Sequence, residues 1–377
     1  MIKKLLILLT FVAIGVSSLL FIRFKNKPTS IYPFPYFVDA TQYKSPELKE
    51  ISSSDILIVG DRLGVNLDKY IPEMNEELSK NLRNQLKIYN WSTKGEGLHR
   101  TLKKLKMLKK LPPIVIYAGG SEEFYEERLL TADKEIHDYN MKVFRDDRYS
   151  SLLMTFPDIS KILYKKPIKY FYLNQMIVPF PKASSAAVSQ TRAELIYNYF
   201  SIQLDTLATL SREKGSTFIY ITAPVNLEIP PRIVCDNAVS NTIITEQSDI
   251  KKLIESGQSK EATARLKKLL SQSIGNAQTY YLLGKAQLNQ GLLKDAKENL
   301  SMAATYDCGN WRSNSIFNKL IIKNAKKNGI KSIDFSEIVT RGLGRNITFE
   351  DEYYPQSIYY NKLQKELMLT IKSIFKI

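Results

Sequence analysis

Four places in this 377-residue chain put side chains capable of chemistry at or near the end of an apolar run or beside a turn. The first is Gly60-Asp61-Arg62-Leu63, directly after Ile56–Val59. Arg62 is a permanently charged planar donor, suited to a carboxylate or phosphate and unable to act as a nucleophile. The second is Ser92 with Gly95 and Gly97 behind it, and the third is Gly120-Ser121-Glu122-Glu123 after Ile114–Ala118. The fourth is Asp351-Glu352-Tyr353-Tyr354-Pro355. A hydroxyl at Ser121 or Ser92 could attack an acyl carbon, given a base to take its proton. The chain has two histidines, His99 and His137, and no motif places either beside a serine. Arg62 could instead pair with Glu122 or Asp351 and fill the place with an ion pair, which need not be functional. No spacing of His, Cys, Asp and Glu matches a metal site, and no cofactor motif is present.

These residues need a frame to bring them together. Ile56–Val59, Leu86–Ser92 and Ile114–Ala118 are short β-forming runs. The first two lead into helical stripes, over Asn66–Leu86 and Leu98–Leu111, and the third into an acidic helix around Glu123–Leu130. Repeated strand–turn–helix units predict an α/β fold with a doubly wound parallel sheet. Strand ends then share one edge, where the functional crevice of such sheets forms. Asp61, Ser92 and Ser121–Glu123 are expected there. Further on, a helix is predicted over Gln190–Lys214 and ended by Gly215, then a strand over Thr217–Leu227. A last strand is predicted over Ile330–Phe335 and a last helix over Ser357–Phe375. The aromatic, proline-rich stretch 163–185 reads as a lid or excursion beside the site.

An internal repeat interrupts this pattern. Gly257, Ala262 and Leu266 recur as Gly291, Ala296 and Leu300, each displaced by 34 residues. That is the period of the tetratricopeptide helix hairpin, in which small residues sit where two helices cross. The second copy is fuller, with Tyr280, Leu283, Gly284 and Ala303 at the expected spacing. The first copy lacks early large residues, so its first helix is expected to be short. Two hairpins need a further surface to cover their apolar faces, and a helix over Asn314–Lys327 is the expected one. The repeats are therefore an insertion in the α/β domain. The organisation read from the sequence is a segment 1–27, a linker 28–50, α/β residues 51–235, a helical insertion 243–308, and α/β residues 309–377.

Lys3 and Lys4 precede an apolar run from Leu5 to Ile22, followed by Arg23, Lys25 and Lys27. That length is at the lower edge of a membrane span, and Val16-Ser17-Ser18 is a poor cleavage site. An uncleaved signal anchor is expected, with the bulk of the chain outside the cytoplasm, in the periplasm or at the cell surface. The formal charge of +16 suits an anionic envelope ligand or lipid, or is a lysine-rich solvated surface. No Lys/Arg cluster interleaved with aromatics stands out, so nucleic acid is disfavoured. Cys235 and Cys308 could pair in an oxidising compartment or remain two thiols.

In order, the blocks GDRL (Gly60–Leu63), Asn90–Gly97, GSEEF (Gly120–Phe124) and DEYYP (Asp351–Pro355) resemble the motifs of the SGNH/GDSL hydrolases. The likeness is to members with tetratricopeptide repeats inserted before the last strand. ITAPVNL (Ile221–Leu227) and the AATYD…WR region support it. The resemblance implies a three-layer, flavodoxin-like fold and acyl-transfer chemistry by Ser, His and Asp, with an oxyanion held by a Gly N–H, an Asn side chain and the backbone at the nucleophile. Carried over, the nucleophile position is Arg62 and the Gly is Gly95. The Asn position is Glu122, or Ser121 with a one-residue slip. The base position is Tyr354 and its orienting Asp is Asp351. Arg62, Glu122 and Tyr354 leave no inherited mechanism. The expectation is a membrane-anchored pseudoenzyme that binds or assembles at the cell envelope, with a protein partner on the repeats. The alternative is an acyl esterase or acyltransferase acting on envelope glycans or lipids, its nucleophile relocated to Ser121 or Ser92.

Overall fold

The computed structural model describes residues 15–18, 37–39, 45–80, 86–124, 134–165, 171–173, 190–232, 234, 240–272, 276–309 and 312–376. It divides into two units, Met1–Ala40 with Glu127–Leu173, and Thr41–Glu126 with Asn174–Ile377. The strands among the described residues are β1 (Phe37–Asp39), β2 (Ile56–Gly60), β3 (Ile88–Asn90), β4 (Ile114–Ala118), β5 (Phe171–Leu173), β6 (Thr217–Ile221) and β7 (Lys331–Ile333).

The larger unit is built on a parallel sheet in the order β3-β2-β4-β6-β7. Its central strands β2 and β4 are buried at every residue, which is why they read as unbroken apolar runs with no polar face. Gly60 lies opposite Ala118, and Ala118 opposite Ile221, so three strands end level. The chain passes from β2 to β3 on one side and then to β4 on the other. That reversal opens a crevice at the carboxyl ends of β2 and β4, as in other doubly wound sheets. Gly60 makes the tight exit possible, because at its φ of +136° a Cβ would lie 2.0 Å from Ala118 O.

Alternate residues of each strand face opposite layers. Ile56, Ile58, Ile114, Ile116, Ile219 and Ile221 pack with Met74, Leu78, Leu363, Leu367 and Ile371 of helices Ile71–Ser79 and Ser357–Phe375. Helices Leu98–Met107, Gln190–Lys214 and Ser315–Asn328 cover the other face, with Phe200 edge-on to Phe317 at 5.0 Å. Some expected elements differ, and the acidic helix expected around Glu123–Leu130 lies beyond Phe124 outside the described residues. The helix predicted over Asn66–Leu86 is instead Arg62–Leu67, a 3-10 turn, and Ile71–Ser79, with residues 81–85 outside the described ones. Pro72, which lacks an N–H, sits in the first turn of the second helix and prevents one continuous helix. The strand predicted to Leu227 stops at Ile221. Beyond it side chains replace the ladder: Thr222 donates to Asp334 at 2.8 Å, and Asn318 bonds both the N–H and the C=O of Ala223.

The repeat region forms four helices, Asn241–Glu255, Ser259–Gln272, Ala277–Asn289 and Leu293–Thr305. The first is not short: it has 15 residues and is capped by Ser240. Ala262, Leu266, Ala296 and Leu300 are all buried. A Cβ on Gly284 would meet Leu300 Cγ at 2.5 Å, which is the close crossing its small size allows. Leu300 and Ala304 pack with Val225, Leu227 and Leu343. The second hairpin thus rests on the loop after β6, while most of helix Ser315–Asn328 is spent against Gln190–Lys214. Cys308 is disulfide-bonded, and the chain's other cysteine is Cys235, next to Val234, which bridges Asp307.

The smaller unit pairs β1 with β5 in parallel, Phe37 opposite Phe171. Its helices Lys134–Arg145, Asp147–Thr155 and Ser160–Leu163 share a small core of Val143, Leu153 and Tyr164. Most of the 163–185 stretch lies outside the described residues, as does the apolar run Leu5–Ile22 apart from helical residues 15–18. Among the described residues no helix is long and apolar enough to cross a membrane.

Candidate functional site

Asp61 leaves β2 and caps helix Arg62–Leu67, accepting from Leu63 N–H at 2.9 Å. Its other oxygen accepts from both the N–H and the hydroxyl of Ser121, at 2.7 and 2.8 Å. The ends of β2 and β4 are thereby tied together. Burial, above all, raises the Asp61 pKa, against these donors and the Arg62 charge.

Arg62 then points into the crevice and meets Glu122 at 2.9 Å, with the side chains 10% and 3% exposed. Glu122 Oε2 also accepts the backbone N–H groups of Arg62, at 3.2 Å, and of Gly95. One carboxylate therefore gathers the guanidinium and two converging backbone donors. Burial first, and the negative Asp61 second, push its pKa up to about 7, while Arg62 and the two N–H groups pull the other way. Glu123, fully buried, accepts the Leu98 N–H at 2.7 Å and fixes the start of the helix behind Gly95. Lys104 secures the same loop from within, bonding Trp91 O at 2.7 Å and Thr93 Oγ1 at 2.9 Å and pairing with Glu96.

The C-terminal block closes over this pair. The Arg62 guanidinium lies 4.5 Å from the centre of the Tyr353 ring. Tyr353 is held in turn by Arg232, which bonds its hydroxyl at 3.2 Å and pairs with Glu352. Tyr354 lines the crevice, and burial raises its pKa above the ordinary tyrosine value, so the phenolate that could take a proton is even scarcer at neutral pH than for a free phenol. Asp351 does not join the ion pair. It is exposed and accepts the N–H groups of Tyr353 and Tyr354, both at 2.7 Å, so it shapes the turn.

The two serines differ in their surroundings. The Ser121 hydroxyl donates a hydrogen bond to Asp61, and the Ser92 hydroxyl is buried against Gly64 with no hydrogen-bond partner among the described residues. His99 stands in helix Leu98–Met107 and His137 in helix Lys134–Arg145 of the smaller unit. No group of three or more metal-ligating side chains occurs among the described residues.

Sequence reasoning left three participants without a role. Tyr353 covers Arg62 through a contact between distant segments that no local pattern announces. Asn226, within ITAPVNL, donates to the backbone oxygens of Asp351 and Glu352, both at 3.2 Å. Arg312, at the end of the AATYD…WR region, donates to Asn226 O at 2.6 Å and Ile229 O at 2.9 Å. Both blocks support the resemblance in the sequence, and their work in the fold is to hold the covering turn. The cleft left between Arg62, Ser121, Asn226, Arg312, Tyr353 and Tyr354 is about 30 Å³. That admits a water molecule or two and is far below the size of an ordinary ligand pocket.

No family model matches the chain, and no curated protein matches it. Among solved structures, it is similar to a GDSL-like lipase from Bacteroides thetaiotaomicron, at 9% identity over 85% of this chain and 87% of that one, with a TM-score of 0.36. It is also similar to an alpha/beta hydrolase enzyme from the metagenome of Lake Arreo, Spain, at 9% identity over 84% of this chain and 94% of that one, with a TM-score of 0.37.

Proposed function

We propose that this protein is a non-catalytic member of the SGNH/GDSL-type hydrolase fold, held to a membrane by its N-terminal segment and acting in binding or assembly at the cell envelope. The observation that carries the reading is the place of Glu122. The N–H groups of Gly95 and of the residue at the nucleophile position converge, as an oxyanion hole would require. They converge on the protein's own carboxylate, which is itself paired with Arg62. A site so filled offers an acyl oxygen neither donors nor room, and Tyr354 offers it no base. Binding then falls to other surfaces. The repeat hairpins are the proposed place of a protein partner.

A second reading, an acyl esterase or acyltransferase on envelope glycans or lipids, is favoured only by Ser121, which lines the cleft and donates to the buried Asp61. The test is to treat the full chain with a serine-reactive fluorophosphonate and with short acyl esters and acetylated glycans. Neither labelling nor turnover is expected. Turnover abolished by Ser121→Ala would replace the first reading with the second.

A further inference from the structure

One helical layer of the larger unit carries its charge unevenly. From Ser315 to Ile333 the chain has Lys319, Lys323, Lys326, Lys327 and Lys331 and no acidic residue. From Leu98 to Pro113 it is again basic with no acidic residue. Helix Gln190–Lys214 touches both of the helices in those stretches and ends in Arg212 and Lys214. Its acids are Glu194, about three turns before Asp205, then Asp205 itself and Glu213. Asp205 takes Lys327 at 3.1 Å, and the charge of Glu213 acts on Lys106.

Lys319, Lys323 and Lys326 follow at four- and three-residue spacing, so they stand in a row about 5–6 Å apart on the exposed side of helix Ser315–Asn328. Among the described residues none of the three meets a carboxylate, whereas lysines elsewhere do, as Lys252 with Asp249 and Lys372 with Glu77. Like charges at these spacings destabilise a helix. Cations in a last turn offset the negative helix end, which accounts for Lys326 and Lys327. Lys319 and Lys323 stand in the middle of the helix, where that benefit is absent. An anion from outside would relieve the row.

The surroundings of the row select the anion. Among the described residues, none of the large exposed apolar side chains stands on these three helices, so the layer has nothing to bury in a bilayer. It exposes no aromatic ring on which a nucleic-acid base could stack. Lysine is a compact point charge that meets phosphate without the planar fork suited to carboxylates. Charges one helical turn apart suit a chain whose own charges recur along a hydrophilic backbone.

We propose that the row Lys319, Lys323 and Lys326, with Lys331 beyond its end, binds a linear phosphodiester polymer that carries no bases. This gives the envelope-binding reading a ligand class and rests on that reading. The test uses the full chain in non-ionic detergent micelles and fluorescein-labelled poly(glycerol phosphate), followed by fluorescence anisotropy. Binding is expected. Lys319→Gln, Lys323→Gln and Lys326→Gln together should weaken it about tenfold and make it less sensitive to salt. Arginine at the same three positions should preserve it. Lys251→Gln, Lys252→Gln and Lys267→Gln remove the same charge from the repeat helices and should leave it nearly unchanged.

No binding of the polymer overturns the inference. Equal weakening by the two glutamine triples overturns it as attraction by net charge, and leaves the envelope reading standing. Tighter binding of oligothymidylate, polygalacturonate or phosphatidylcholine–phosphatidylglycerol vesicles through the same row overturns it in favour of that occupant. A membrane-impermeant biotin ester added to intact cells tests the envelope reading separately. A chain that this reagent cannot reach overturns that reading and the inference with it.

Discussion

The Arg62 guanidinium and the Glu122 carboxylate meet at 2.9 Å, nearly out of water, where β2 and β4 end. Three charges share this spot, since Asp61 follows β2 directly and acts on both. Arg62 is the cation between two buried carboxylates. Removing it should therefore cost more than an exposed ion pair would, about 3–5 kcal/mol for an uncompensated buried charge. Arg62→Met is expected to lower the urea midpoint accordingly at pH 8, and Arg62→Met with Glu122→Gln to lower it by less than the sum of the two single changes. Strict additivity would show that the pair is not coupled.

Protonation gives a second handle on the same carboxylate. The Glu122 pKa is pushed up to about 7, by burial first and Asp61 second, from an ordinary value of 4.5. A carboxyl that holds its proton more tightly when folded contributes stability that is complete below the unfolded value and is lost as pH rises through the folded one. Wild-type stability should therefore carry a falling component between pH 4.5 and about 7. Glu122→Gln cannot titrate and should lack that component. Thermal midpoints of the two proteins, measured side by side across this range, check it. A difference that stays constant with pH would place the titration elsewhere.

If Glu122 occupies an oxyanion site, clearing that site should restore part of the chemistry. The combination Arg62→Ser, Glu122→Asn and Tyr354→His is expected to become labelled by a fluorophosphonate while the parent is not. The Gly95 N–H and the backbone N–H at position 62 already converge on one point. The gain should be small, because Asp351 is engaged by two backbone N–H groups and faces solvent. A folded triple variant that stays unlabelled would count against a hydrolase ancestry for the crevice.

Much of the frame was legible because it is written in local periodicity. The runs at β2 and β4, the helix Gln190–Lys214 and the final helix Ser357–Phe375 all stand where the sequence puts them. What was not legible depends on partners far along the chain. The end of β6 is set by Asp334 and Asn318, which lie about a hundred residues away. The pairing of Phe37 with Phe171 has no local signal at all. At the site, residue types showed that Arg62 had an acidic partner to choose, between Glu122 and Asp351. Only the fold shows that Glu122 stands across the switch point while Asp351 turns outward. The cation–ring contact with Tyr353 belongs to the same class, since a DEYYP block does not say which tyrosine will face in.

The repeat hairpins offer a test in which two effects oppose each other. Gly284→Ala should stabilise a helix interior by about 1 kcal/mol through propensity alone. At this position the new methyl would sit 2.5 Å from Leu300 Cγ and 3.1 Å from Ala296 O, so the two helices must separate. Overpacking of that kind costs about 1–3 kcal/mol, which outweighs the propensity gain. Net destabilisation is expected, and it should be local. Hydrogen exchange in Ala277–Asn289 and Leu293–Thr305 should quicken while β2 and β4 keep their protection. Exchange that quickens across the sheet as well would mean that the hairpins and the sheet unfold as one cooperative body, and that the contact of Leu300 and Ala304 with Val225 and Leu227 couples them.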